Sequence, residues 1–130
     1  MQGDWFAPYV GLPFGQGPGQ VTCWGLVRRV YADCLGVDLP AYGEISAHDL
    51  ARIARAMKAG ADDGWRQVAD PRAFDVALMR GPSGGSMVVH VGVMVDRLRV
   101  LHVEEAAAAA VVPVQHWTVA SRVIGYRRRA

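Results

Sequence analysis

The order of two kinds of periodicity constrains this chain more than any single residue does. Helical spacing dominates the first half and strand alternation the second. Leu26, Val27, Val30, Tyr31 and Cys34 recur at helical intervals with Arg28, Arg29 and Asp33 on the opposite face; Gly36 ends that pattern and Pro40 prevents its resumption. A second helix is signalled by Ser46 as N-cap with Asp49 three residues on, followed by Leu50, Ile53, Ala54 and Met57 on one face and Gly60 as the stop. The pattern then changes to alternation over Phe74 to Met79, Met87 to Val95, Arg99 to Val103 and Val119 to Arg127. Helices first and short strands afterwards predict an α+β fold, with N-terminal helices packed on an antiparallel β-sheet. At 130 residues the chain reads as one domain, 1–130, long enough to bury about two thirds of its unfolded surface without staples.

Composition narrows the partners. The formal net charge is +2, and the one basic run is Arg127-Arg128-Arg129, which reads as the solvated end of a last strand; no nucleic-acid footprint is expected. The start, Met1-Gln2-Gly3-Asp4-Trp5, lacks a basic region followed by an apolar run, and no uninterrupted apolar stretch would cross a bilayer. The expectation is therefore no signal peptide and no membrane insertion. No metal site or cofactor is expected either. The histidines lack i, i+4 spacing, the cysteines lack zinc-site neighbours, and the glycines at 11, 15, 17 and 19 precede no Lys-Ser or Lys-Thr.

Cys23 stands at the predicted start of the first helix. Thr22 is a suitable N-cap, which puts the thiol where unpaired amides and the positive end of the helix dipole favour a thiolate. The loop before it, residues 11 to 20, is too rich in Gly and Pro for a helix or a central strand and leads directly to the cysteine. Cys23 and Cys34, 11 residues apart on one helix, would be ~16 Å apart along its axis, too far for a disulfide. Both thiols should be free, with Cys34 on the apolar stripe as a core residue. Within Met87 to Val95, His90 shares a face with Val88, Gly92 and Met94. An odd loop at Asp96-Arg97-Leu98 would set His102 opposite Gly92 and diagonal to His90, ~7 Å away between Cα atoms, whereas an even loop would separate the two. His48 and His116 have no comparable setting, and Ala106 to Ala110 reads as a helical turn or a loop.

At these residues the chain resembles the NlpC-type cell-wall peptidases, a papain-like cysteine peptidase family, and in particular its stand-alone members encoded with phage tail genes. The resemblance rests on Tyr9-Val10-Gly11-Leu12-Pro13-Phe14, Cys23-Trp24-Gly25-Leu26-Val27, Leu35-Gly36-Val37-Asp38-Leu39-Pro40, His90-Val91-Gly92-Val93, Val100-Leu101-His102 and the closing Ile124-Gly125-Tyr126-Arg127. It implies a papain-like fold with Cys23 as nucleophile, His90 as general base and His102 orienting His90. The implied reaction is hydrolysis of an amide in peptidoglycan stem peptides, commonly between D-γ-glutamyl and diaminopimelate. The positions flanking the nucleophile, Thr22 and Trp24, and the loop residue Phe14 are the implied substrate-binding positions. Thr22 stands where the family usually has Asp, Trp24 where members that bind a free N-terminal amine have Ser, and Phe14 where Tyr is common, so recognition of a free L-Ala terminus is not implied. The phage-tail likeness implies a location at the tail tip of a virion or tail-like particle, with tail hub or tail-tip proteins as partners and synthesis in the bacterial cytoplasm. The alternative on the same resemblance is a structural tail-tip component that keeps the fold with weak or no activity.

Overall fold

The computed structural model describes residues 4–40, 65–81 and 88–129. The predicted helix from Ser46 to Gly60, with His48, lies outside the described residues. The first helix is present as α1 (Cys23–Val30), with Thr22 in extended conformation and its hydroxyl accepting the Gly25 amide proton at 3.0 Å. After Val30 the helix widens into a π turn, Tyr31–Leu35, closed by Gly36 in the left-handed region at φ 65°. Only glycine adopts that conformation without strain, which is why the predicted stop holds.

The widened turn has one consequence for packing. It rotates Cys34 away from the stripe that Val27, Val30 and Tyr31 bury, so Cys34 is half-buried beside the Tyr9 hydroxyl at 3.7 Å rather than a core residue. Both cysteines are free.

Among the described residues six strands form one sheet: β1 (Trp65–Val68), β2 (Val76–Met79), β3 (His90–Met94), β4 (Arg99–His102), β5 (Ala110–Pro113) and β6 (Val123–Arg129). Their spatial order is β1-β6-β2-β3-β4-β5, and every neighbouring pair is antiparallel. The fold is therefore α+β, as the two periodicities predict. β2, β3 and β4 are the predicted runs with trimmed ends, while β6 starts later than predicted, at Val123, and runs beyond Arg127 to Arg129. β1 and β5 are additional edge strands, and β5 ends on Pro113, a residue that an edge strand tolerates because its missing N–H is not needed there.

The helix packs on the face bearing Val91, Val93, Val76, Leu78 and Leu101, with Trp24, Leu26, Val27 and Val30 fully buried against it. The opposite face carries a smaller core of Ala77, Met79, Met94, Val100 and Val119. The N-terminal loop is tied to the sheet's far side by Pro13 bridging Ala108, by the Gly11 amide on the Ala109 carbonyl and by the Ala109 amide on the Leu12 carbonyl. Ala106 to Ala110 is thus a fixed connection leading into β5, with Ala109 buried.

The arginine run does not lie in solvent. Because β6 is an interior strand, Arg127 is buried, Arg128 makes a two-pronged ion pair with buried Asp75 at 2.7 and 2.9 Å, and Arg129 lies over the Trp65 ring. These residues hold strands together, so the sequence reading of them as a solvated end is corrected.

Trp24 and Trp65 are the largest fully buried side chains among the described residues, and the Trp24 indole N–H donates to the Pro40 carbonyl at 2.9 Å. Replacing Trp24 by alanine should cost about 3 to 5 kcal/mol in urea or thermal unfolding, the range for emptying a tryptophan-sized site.

Candidate active site

Strand register decides the histidine geometry. The turn Asp96-Arg97-Leu98 is the odd one: Val95 N–H bonds the Arg99 carbonyl, while the Asp96 carboxylate accepts the Leu98 and Arg99 amides and pairs with the Arg99 guanidinium. Val93 consequently faces Leu101 and Met94 faces Val100. Extending the same register sets His102 opposite Gly92. His90 Nε2 and His102 Nδ1 meet at 2.8 Å, with both residues buried. The approach needs a residue without a side chain at position 92, because a β-carbon there would lie 3.0 Å from His102 Cβ, 3.0 Å from the Leu101 carbonyl oxygen and 2.7 Å from Val100 Cγ2.

Cys23 reaches this region from the helix layer. The β3–β4 ladder pairs only Val93 and Met94, so the backbone of Val91 lies beyond its last rung on the side toward His90, and the Val91 amide hydrogen-bonds the Cys23 sulfur. The amides of Trp24 and Cys23 add to it. These are the helix-start donors that the sequence predicts, and they lower the thiol pKa. Burial outweighs them: Cys23 is 5% exposed, and desolvation, with a further push from the Glu104 carboxylate, takes the thiol up to about 11. His90 moves the other way, down to about 3, through burial first and then the positive character of His102 and Arg122. His102 is lowered too, by burial chiefly, with Glu104 opposing and Arg122 adding to the shift. Burial therefore favours the neutral thiol of Cys23 and the neutral imidazoles of His90 and His102.

Among the described residues Cys23 makes no hydrogen bond to His90; it contacts the amide of the next residue. His90 Nε2 is engaged by His102, which leaves Nδ1 as the ring nitrogen available to a thiol proton.

The implied substrate-binding positions have separate fates. Thr22 is the N-cap, its hydroxyl occupied by the helix. Trp24 is enclosed in the core and presents no surface to a substrate. Phe14 is half-buried, bridged to Val21 just ahead of the nucleophile. His116 is exposed and hydrogen-bonded to Thr118.

Pattern reading passes over one group. Glu104 Oε1 lies 3.9 Å from His90 Nε2 and is paired with buried Arg122. The signal for it is the parity that finds His102, since residue 104 follows at the next alternate position and the extended register sets it opposite His90. His90, His102 and Glu104 bring three donor atoms within 4.8 Å of one another. Those donors are spent on each other and on Arg122, and the site is not assigned to a metal.

The profile of the NlpC/P60 family matches residues 11–128. The chain belongs to the NlpC/P60 family. Two solved structures share the fold. One is the NlpC/p60 domain of the peptidoglycan hydrolase SagA, at 20% identity and TM-score 0.60, with 92% of this chain and 89% of that one covered. The other is a protein similar to a lipoprotein, of the NLP/P60 family from Staphylococcus aureus, at 22% identity and TM-score 0.63, with 94% of this chain and 38% of that one covered. No curated protein matches significantly. The NlpC/P60 fold is papain-like, and the helix opened by Cys23 and the antiparallel sheet that carries His90 and His102 are consistent with it.

Because His90 stays neutral when folded and takes a proton near 6.5 when unfolded, its contribution to stability is complete above about pH 6.5 and is lost as pH falls, by up to ~1.4 kcal/mol per unit. The His90 imidazole should show no titration in NMR spectra between pH 5 and 8, and the unfolding midpoint should drop below pH 6. A titration midpoint near 6.5 would contradict the buried neutral pair.

Proposed function

We propose that this protein is a cysteine peptidase that hydrolyses an amide in peptidoglycan stem peptides, with Cys23 as nucleophile, His90 as general base and His102 orienting His90. The single observation that carries the reading is the direct His90–His102 contact beside the helix start that bears Cys23, within an NlpC/P60 domain. The likeness to the NlpC/p60 domain of a peptidoglycan hydrolase supports the substrate class.

In this mechanism the Cys23 proton passes to His90 Nδ1 as the sulfur attacks the scissile carbonyl carbon. The Cys23 amide, at the helix start, donates to the developing oxyanion. His90 then gives its proton to the leaving amine, the C–N bond breaks and a thioester remains. Water, deprotonated by His90, attacks the thioester carbonyl and releases the acid and the free thiol. His102 holds the His90 ring through Nε2 in all these steps. Phe14 carries no hydroxyl, so it offers no oxyanion donor from that position.

We further infer a setting at the tip of a phage tail or tail-like particle, where the domain opens peptidoglycan during delivery, with tail hub or tail-tip proteins as partners. Support comes from the closing Ile124-Gly125-Tyr126-Arg127 and the sequence likeness to tail-encoded members. A second reading, a structural tail-tip component with weak or no chemistry, is favoured by one feature: the thiol is enclosed and held up to about 11.

Mass analysis of muropeptides separates the two readings. Wild-type protein should generate a new amine terminus that Cys23→Ala does not, His90→Ala should lose ~10²- to 10⁴-fold in rate, and His102→Ala should keep measurable turnover. No new terminus with any of these proteins would leave the structural reading. For the setting, crosslinking of purified particles should recover the domain at the distal tail; recovery on the head alone would contradict it.

A further inference from the structure

We propose that Glu104, clamped by Arg122, is a positioning residue that stabilises the His90 imidazolium formed when Cys23 gives up its proton. The inference rests on the peptidase reading for its role in turnover, and on geometry for its existence. Glu104 Oε1 stands 3.9 Å from His90 Nε2, the nitrogen that also meets His102. Glu104 has a side chain 39% exposed, and without an anchor it would be a weak, mobile neighbour. It is not free to move.

Arg122 explains why. It is itself buried, and it is anchored at three points: Nε donates to the Arg80 carbonyl at 2.9 Å, and Nη1 donates to the Thr118 carbonyl at 3.3 Å and to Glu104. The Arg80 amide returns a bond to the Arg122 carbonyl at 2.8 Å, which locks the arginine backbone to the end of β2. A guanidinium fixed to two backbone segments therefore pins the carboxylate beside the histidine pair.

The charged and titratable groups that act on His90 are His102 from β4, Arg122 and, at 3.9 Å, Glu104, while Cys23 from α1 is held on the amide of the next residue, Val91. His102 and Arg122 oppose a positive charge on His90, and burial opposes it more strongly. Glu104 is the anionic group among the described residues placed to favour that charge, and its field already reaches both His102 and Cys23. The step it assists moves one proton from Cys23 Sγ to His90 Nδ1, leaving thiolate and imidazolium, with no co-reactant.

The rate of Cys23 alkylation by iodoacetamide at pH 7, mapped on the full chain, tests the proposal without a peptidoglycan substrate. Two roles for Glu104 give opposite signs. As a mere anion near the sulfur it holds the thiol protonated, so Glu104→Gln would speed alkylation. As the support for imidazolium, its loss removes the proton's destination and Glu104→Gln slows alkylation. We expect a fall of ~10-fold or more, an equal fall in kcat with KM little changed, and partial recovery in Glu104→Asp. Alkylation that is unchanged or faster in Glu104→Gln overturns the proposal. If Glu104→Gln fails to fold, Glu104→Asp decides alone, and wild-type alkylation in that variant overturns it. Slowed alkylation in a protein that cleaves no stem peptide would refute the peptidase reading and leave the proposal standing.

Discussion

The hydrogen bond between His90 and His102 depends on an empty place. Two imidazoles on neighbouring strands come within 2.8 Å only because position 92 carries no side chain, and the turn at Asp96 to Leu98 sets the register that aims His102 at that gap. A one-residue slip would turn His102 to the helix face, in place of Leu101, and bury a polar ring in the larger core. The hairpin turn, the glycine and the pair of histidines are thus one device distributed over β3 and β4. Helix α1 completes it by delivering Cys23 to the open end of the same strand pair.

Burial gives the site its electrostatic character. Enclosing the thiol and both imidazoles stabilises their neutral forms, so the charge separation needed for attack does not exist at rest and must be created as the reaction begins. Under the proposed peptidase reading, that arrangement would keep the nucleophile quiet until a substrate supplies a carbonyl to attack. It also places weight on the groups that support transient charge: the helix-start amides on the sulfur side and the Glu104–Arg122 pair on the imidazole side.

Much of this was legible in the sequence where the signal is local. Thr22 caps α1, Gly36 ends its π extension, residues 11 to 20 form the ordered loop into Cys23, and parity places His102 diagonal to His90. What escaped depends on tertiary context. A π turn after Val30 moves Cys34 off the predicted stripe, and no residue pattern announces it. β1 and β5 are short edge strands with mixed exposure, so neither shows clear alternation. The arginines of β6 read as solvated from composition, yet their strand is interior and Asp75 and Trp65 await them. Trp24, adjacent to the nucleophile in sequence, points into the core because a helix turns successive residues by about 100°.

The central claim, that Cys23 is the nucleophile of a peptidase, is tested most directly by trapping the covalent intermediate. Rapid acid quench of the protein mixed with purified stem peptides, followed by peptide mapping, should find an acyl group in thioester linkage on Cys23 that hydroxylamine removes, with Cys34 unmodified. Turnover of those peptides with no adduct on Cys23, or with an adduct on Cys34, would contradict the account.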